Sequence, residues 1–199
     1  MTRLLLIGPP GAGKGTQAVR LAEAYRVPAI STGDIFRSNV KNETDLGREA
    51  KVYMDAGDNV PDSLTNALIR DRLAEADCDT GFLLDGYPRT TDQVRELDEF
   101  LAGNGTLLDV VVELVVDPEV VIERLGKRAL SEGRSDDDEA VVRHRLEVYG
   151  EQTAPLIDVY DARGLLVKID ALGSVDEVTE RIVSALAERG ITTPDTATL

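Results

Sequence analysis

Short runs of consecutive apolar residues punctuate this chain at Arg3–Ile7, Val27–Ile30, Gly81–Leu84, Val110–Val116 and Leu165–Ile169. The runs are continuous rather than alternating, the pattern of strands covered on both faces. Between them apolar positions recur at helical spacing over Gly15–Tyr25, Ala50–Met54, Ser63–Glu75, Thr91–Leu101, Pro118–Lys127, Asp138–Tyr160 and Val175–Glu188. Strands alternating with helices in this way predict an α/β fold, with a five-stranded parallel sheet flanked by helices. In such a sheet ligands bind outside the carboxyl ends of the strands. Two stretches break the alternation. Between Ile30 and Gly81 about fifty residues carry helical pattern and no strand, and between Lys127 and Asp138 lies a short polar segment with Gly133 and Arg134. Both predict insertions at the rim of the sheet, where sites are built.

The chain has 199 residues, the size of one domain able to bury a core without metal or disulfide. Its net charge of −15 and its lack of Trp argue against a nucleic-acid partner, which needs a basic face or stacking platforms. No apolar run is long enough to span a membrane, and no export signal is evident, so a cytoplasmic protein is expected. The one cysteine, Cys78, reads as a small buried thiol rather than a reactive one.

Directly after the first strand run comes Gly8-Pro9-Pro10-Gly11-Ala12-Gly13-Lys14-Gly15-Thr16, opening a helix. Glycines let backbone N–H groups turn inward around phosphate oxygens, and the helix N-terminus adds its dipole. Lys14 is placed to reach the terminal phosphates of a nucleotide. The Ser or Thr that usually follows the lysine and holds Mg²⁺ is Gly15 here, with Thr16 one place later. A water-mediated Mg²⁺ fits instead, with Asp85 at the end of the third strand run as its outer acceptor.

Together with this loop, Ser31-Thr32-Gly33-Asp34 with Arg37, Asp58-Asn59-Val60-Pro61-Asp62, Asp85-Gly86-Tyr87-Pro88-Arg89-Thr90 with Gln93, Arg134-Ser135-Asp136-Asp137 with Arg145, and Thr153-Ala154-Pro155-Leu156-Ile157 occur in order along almost the whole chain. In this set the chain resembles the adenylate kinase family, which has the P-loop NTPase fold. The resemblance implies the reaction ATP + AMP ⇌ 2 ADP with Mg²⁺, carried out by a cytoplasmic monomer. It implies an AMP-binding insertion at 31–60 and a lid at 128–138. That lid is short and has no cysteine, so the structural zinc of some long-lid members is not expected.

By the same resemblance Gly11, Ala12, Gly13, Lys14, Gly15, Thr16, Arg128 and Gly173 contact ATP. Thr32, Arg37, Asp58, Asn59, Val60, Gly86, Tyr87, Pro88, Arg89, Gln93, Arg134 and Arg145 contact AMP. Lys14, Arg89, Arg124, Arg128, Arg134 and Arg145 carry the catalysis, with Lys127 a rival to Arg128 for one lid position. Cations suffice for this chemistry: the transition state spreads negative charge over the transferring oxygens, and an ionised phosphate acceptor needs no general base. The lone histidine, His144, reads as solvated or as a site residue. The acidic run Asp136–Glu139 reads as a first helical turn or as contacts to lid arginines. Thr32 and Thr90 favour AMP over the pyrimidine acceptors of UMP/CMP kinases. A non-catalytic ATP-binding module would not need the second anion clamp, Arg37 with Arg89.

Overall fold

A computed structural model describes residues 1–132 and 138–194 of the chain. Strands β1 (Thr2–Ile7), β2 (Ala29–Ser31), β3 (Gly81–Asp85), β4 (Val110–Val115) and β5 (Leu166–Asp170) form one parallel sheet in the order β2-β3-β1-β4-β5. Helix α1 (Lys14–Tyr25) follows β1; α2 (Thr32–Lys41), α3 (Asp45–Ala56) and α4 (Asp62–Leu73) lie between β2 and β3. Next come α5 (Thr91–Gly103), α6 (Pro118–Glu132), α7 (Glu139–Val148), α8 (Pro155–Ala162) and α9 (Val175–Glu188).

The alternation of side chains along each strand divides the core in two. Leu4, Leu6, Val112 and Ile169 face α1 and α9, meeting Leu21, Ile182 and Leu186. Leu5, Ile7, Leu84 and Val111 face α4, α5 and α8, meeting Ile69, Leu97 and Leu156. Both faces are apolar because both are covered, which is why the strand runs are continuous.

The sequence pattern misses in three places. β2 begins at Ala29 rather than Val27, since Pro28 has no N–H to donate to a ladder. The long helix expected over 138–160 is split into α7, a π-helical segment at Tyr149–Thr153, and α8. Pro155 lacks the N–H an α-helix would direct to Glu151 and its ring crowds that carbonyl, so the ladder widens before it. The stretch before α4 resolves into two helices, each with its own cap: Ser31 Oγ accepts the Asp34 N–H, and Thr44 Oγ1 accepts the Gly47 N–H. These two helices carry a small core of their own, Phe36, Ala50 and Val60. Asp138 caps α7 through the Ala140 N–H, so the acidic run does open that helix; Asp136 and Asp137 lie outside the described residues.

α2 and α3 cross so closely that a β-carbon on Gly47 would sit 2.1 Å from the Asn39 carbonyl oxygen. Backbone cannot move aside as a side chain can. Gly47→Ala is expected to destabilise the protein by about 3 kcal/mol, by forcing the two helices apart. Thermal or urea unfolding of the variant measures this.

Candidate active site

The carboxyl ends of β1 and β3 lie side by side, with Leu6 in register with Asp85 and Ser31 of β2 on its far side. The loop after β1 therefore begins beside the loop after β3. Gly13 caps α1 at a φ of +98°, a conformation costly for any residue with a β-carbon. It contributes no side-chain cap, so the first-turn N–H groups and the helix dipole are left for an anion.

Two cavities open at this edge and share a wall. Thr32, Asp58, Asn59, Val60, Pro88 and Gln93 line the first. The second is lined by Gly11, Ala12, Gly13, Gly15, Thr16 and Asp85 on one side, with Arg124, Arg128 and Gly173 on the other. Lys14, Arg37, Gly86, Arg89 and Arg145 line both. Most of the residues singled out in the sequence thus meet around one cationic partition.

Local bonds hold these cations. Lys14 Nζ donates to the Gly8 carbonyl at 2.7 Å and the Pro9 carbonyl at 2.9 Å. Arg89 Nε donates to the Gly86 carbonyl at 2.8 Å, and Nη1 to Asn59 Oδ1 at 3.0 Å. The Arg89 N–H donates to Gln93 Oε1 at 2.7 Å, and its carbonyl accepts from the Thr153 hydroxyl at 3.0 Å. Arg37 pairs with Asp34 one turn earlier on α2. Thr32 Oγ1 donates to the Gly86 carbonyl at 2.9 Å, fastening the start of α2 to the end of β3.

Crowding and burial shift the acid–base balance. Loss of hydration lowers the Lys14 pKa to about 8; Asp85 opposes the fall, and Arg89, Arg145 and Arg128 add to it. Burial raises the Asp85 pKa, with Lys14 and Arg89 opposing. The Asp85 carboxylate faces the second cavity and makes no hydrogen bond or ion pair of its own among the described residues.

Three positions have settings that the sequence does not indicate. Tyr87 does not line either cavity: its ring is buried in the core and its hydroxyl donates to Asn66 Oδ1 at 2.9 Å. Arg124 reaches the carbonyls of Ala171 (2.8 Å) and Ala12 (3.4 Å), so it braces the loop after β5 against the phosphate-type loop. Lys127 pairs with Glu123 at 2.6 Å on the outer face of α6, whereas Arg128 lines the second cavity. Arg134 lies in 133–137, outside the described residues.

Several contacts were not read from the sequence. His144 Nε2 lies 2.6 Å from Asp58 Oδ1, and this bond, with Glu147 nearby, raises its pKa. Gln152 accepts from Asn59 at 2.8 Å. Buried Gln17 donates to the Val175 carbonyl at 3.0 Å and accepts from Thr179 at 2.8 Å, joining α1 to α9. Only its position in the first turns of α1 could have marked it. Cys78 is buried against Arg72, and burial pushes its thiol up to about 11. Among the described residues, no group of three His, Cys, Asp or Glu side chains could hold a metal, and no helix is long and apolar enough to cross a membrane.

A five-stranded parallel sheet with a glycine-rich phosphate-type loop after β1 and a second cavity sharing its cationic wall defines a nucleotide kinase of the P-loop NTPase fold. Comparison with known proteins makes this specific. The adenylate kinase family profile matches residues 6–165. Adenylate kinase from Kocuria rhizophila is 61% identical over 186 residues, covering 94% of this chain and 99% of that protein. Those from Leifsonia xyli subsp. xyli and Thermobifida fusca are each 60% identical, covering 94% of this chain and 94% and 99% of their own lengths. The chain belongs to the adenylate kinase family.

The Lys14 pKa sets a pH limit. The free protein holds this ammonium below about pH 8 and loses it above. kcat/KM for MgATP, which reports the free enzyme, is therefore expected to fall about tenfold per pH unit above that point. A pH–rate profile from pH 6 to 10 checks this.

Proposed function

We propose that this protein is a kinase catalysing ATP + AMP ⇌ 2 ADP, with the donor ATP in the second cavity and the acceptor AMP in the first. The observation that carries the reading is the shared wall: Lys14, Arg37, Arg89 and Arg145 border both cavities, so two phosphate chains entering from opposite sides meet among the same cations.

On this reading the backbone of Gly11–Thr16 cradles the β- and γ-phosphates, with Lys14 on the transferring group. Arg37 and Arg89 clamp the AMP phosphate, and Arg128 and Arg145 close over the phosphates with Arg134 from the lid. Gln93 and the Val60 region take the adenine of AMP; Gly173 and its neighbours take that of ATP. In-line attack by an AMP oxygen requires no base, because that oxygen already carries charge. What the protein supplies is alignment, positive charge and exclusion of water. The Asp85 carboxylate, which belongs to no group of three acidic, His or Cys side chains among the described residues, fits a cation held largely through water rather than by a protein cage. Asp85 would hold Mg²⁺ there, which would supply neutralisation of phosphate charge. We read the segments 31–60 and 128–138 as moving parts that close when both nucleotides are bound, and the enzyme as a cytoplasmic monomer acting on free nucleotides.

Lys14→Ala is expected to lower turnover by on the order of 10³-fold while the fold persists. Arg89→Ala should raise KM for AMP and lower kcat together, leaving KM for ATP little changed. Steady-state assays of ADP formation with AMP, CMP, UMP and GMP test the assignment. A preference for CMP or UMP, or an Arg89 effect confined to ATP, would contradict it.

A further inference from the structure

Gln93 lines the first cavity and is 1% exposed, with its amide engaged at both ends. Oε1 accepts the Arg89 N–H, and Nε2 donates to Asp62 Oδ1, each at 2.7 Å. Turned over, the amide would set oxygen against the Asp62 carboxylate and NH2 against the Arg89 N–H. Both contacts therefore select one orientation. Asp62 is itself fixed: Oδ2 accepts from the Thr90 hydroxyl at 2.7 Å, and Thr90 caps the helix on which Gln93 sits. Asp62 opens α4, is half-buried, and does not line the cavity.

In this orientation Gln93 has one N–H and one oxygen lone pair left, a donor beside an acceptor. That pair matches a purine edge with an exocyclic amino group next to a bare ring nitrogen, as in adenine. It opposes the edge of hypoxanthine or guanine, with a carbonyl next to a ring N–H. A mismatched base would bury two donors face to face and two acceptors face to face.

We propose that Asp62 is a specificity-determining positioning residue, which holds the Gln93 amide in the orientation that accepts adenine and rejects 6-oxopurines. The proposal rests on the placement of the acceptor base beside Gln93. A carboxylate can only accept, which forbids the flipped amide. An asparagine at 62 could donate to a flipped Gln93 as readily as it accepts from the native one, so at nearly constant shape it would remove the Asp62 half of that selection and leave the Arg89 N–H to hold the amide alone.

The test uses AMP and inosine monophosphate as acceptors, which differ only at this edge, with saturating MgATP. In Asp62→Asn the AMP-to-IMP ratio of kcat/KM is expected to fall at least about fivefold, chiefly through a higher KM for AMP, with KM for ATP unchanged. In Gln93→Leu the ratio should fall further. An AMP KM that rises in Asp62→Asn at an unchanged ratio would make Asp62 a packing residue and overturn the proposal, leaving the base site in place. An unchanged ratio in Gln93→Leu would remove the base from this cavity and overturn both. Thr90→Val, which frees one oxygen of Asp62, offers the same readout should Asp62→Asn not fold: a smaller fall in the ratio supports the proposal, and no fall overturns it.

Discussion

Like charges held side by side repel, and the active edge of this protein depends on holding them so. Lys14, Arg37, Arg89 and Arg145 border the same partition, and the Lys14 pKa is lowered first by burial and then further by Arg89 and Arg145. Among the described residues, neutral oxygens receive several of these charges. Carbonyls of Gly8, Pro9 and Gly86 and the amide of Asn59 receive these cations, with Asp34 the carboxylate on Arg37. Neutral acceptors fix the direction of a cation without cancelling its charge, so its field stays available to an anion. That arrangement explains how an acidic chain, at −15, can serve polyanionic ligands: the sum is negative, but the local field at the sheet edge is positive.

The position of these groups follows from the sheet. β1 and β3 are neighbours in space though 79 positions separate each pair of register partners, and Asp85 lies level with both Leu6 of β1 and Ser31 of β2. The loops after these strands can therefore share a cavity wall. Helices α2 and α3, packed backbone to backbone at Gly47, add a second unit with its own small core, whose end at Asp58–Val60 reaches the same place.

Much of this was legible in the chain, and for definite reasons. Buried strands announce themselves as continuous apolar runs, and the phosphate loop needs glycines and a lysine in fixed order, so β1, α1 and the loop between them could be read directly. The covering helices were readable wherever one face was apolar. What escaped was whatever depends on contact between distant segments or on backbone partners. Asp62 meets Gln93 across 31 positions and His144 meets Asp58 across 86, and neither spacing has a periodic signature. Arg124 ends on carbonyl oxygens, which every residue has, so nothing in the sequence marks its partners. The π-helical segment before Pro155 was missed because helical periodicity averages over one extra residue, though the proline itself was in view.

The brace between the two ends of the chain bears on how the protein comes into being. Gln17, three residues past the lysine of the loop, is bonded to Val175 and Thr179, and Arg124 spans the carbonyls of Ala12 and Ala171. The face of α1 that packs on the sheet also packs on Val178, Ile182 and Leu186 of α9. During synthesis the glycine loop emerges well before the strand and helix that back it. A nascent chain stalled before β5 would present the loop without its far wall, with α1 uncovered on the side α9 later takes. A site that needs both walls is complete only once β5 and α9 have folded, so a ligand held between them would stabilise the completed fold rather than the growing one.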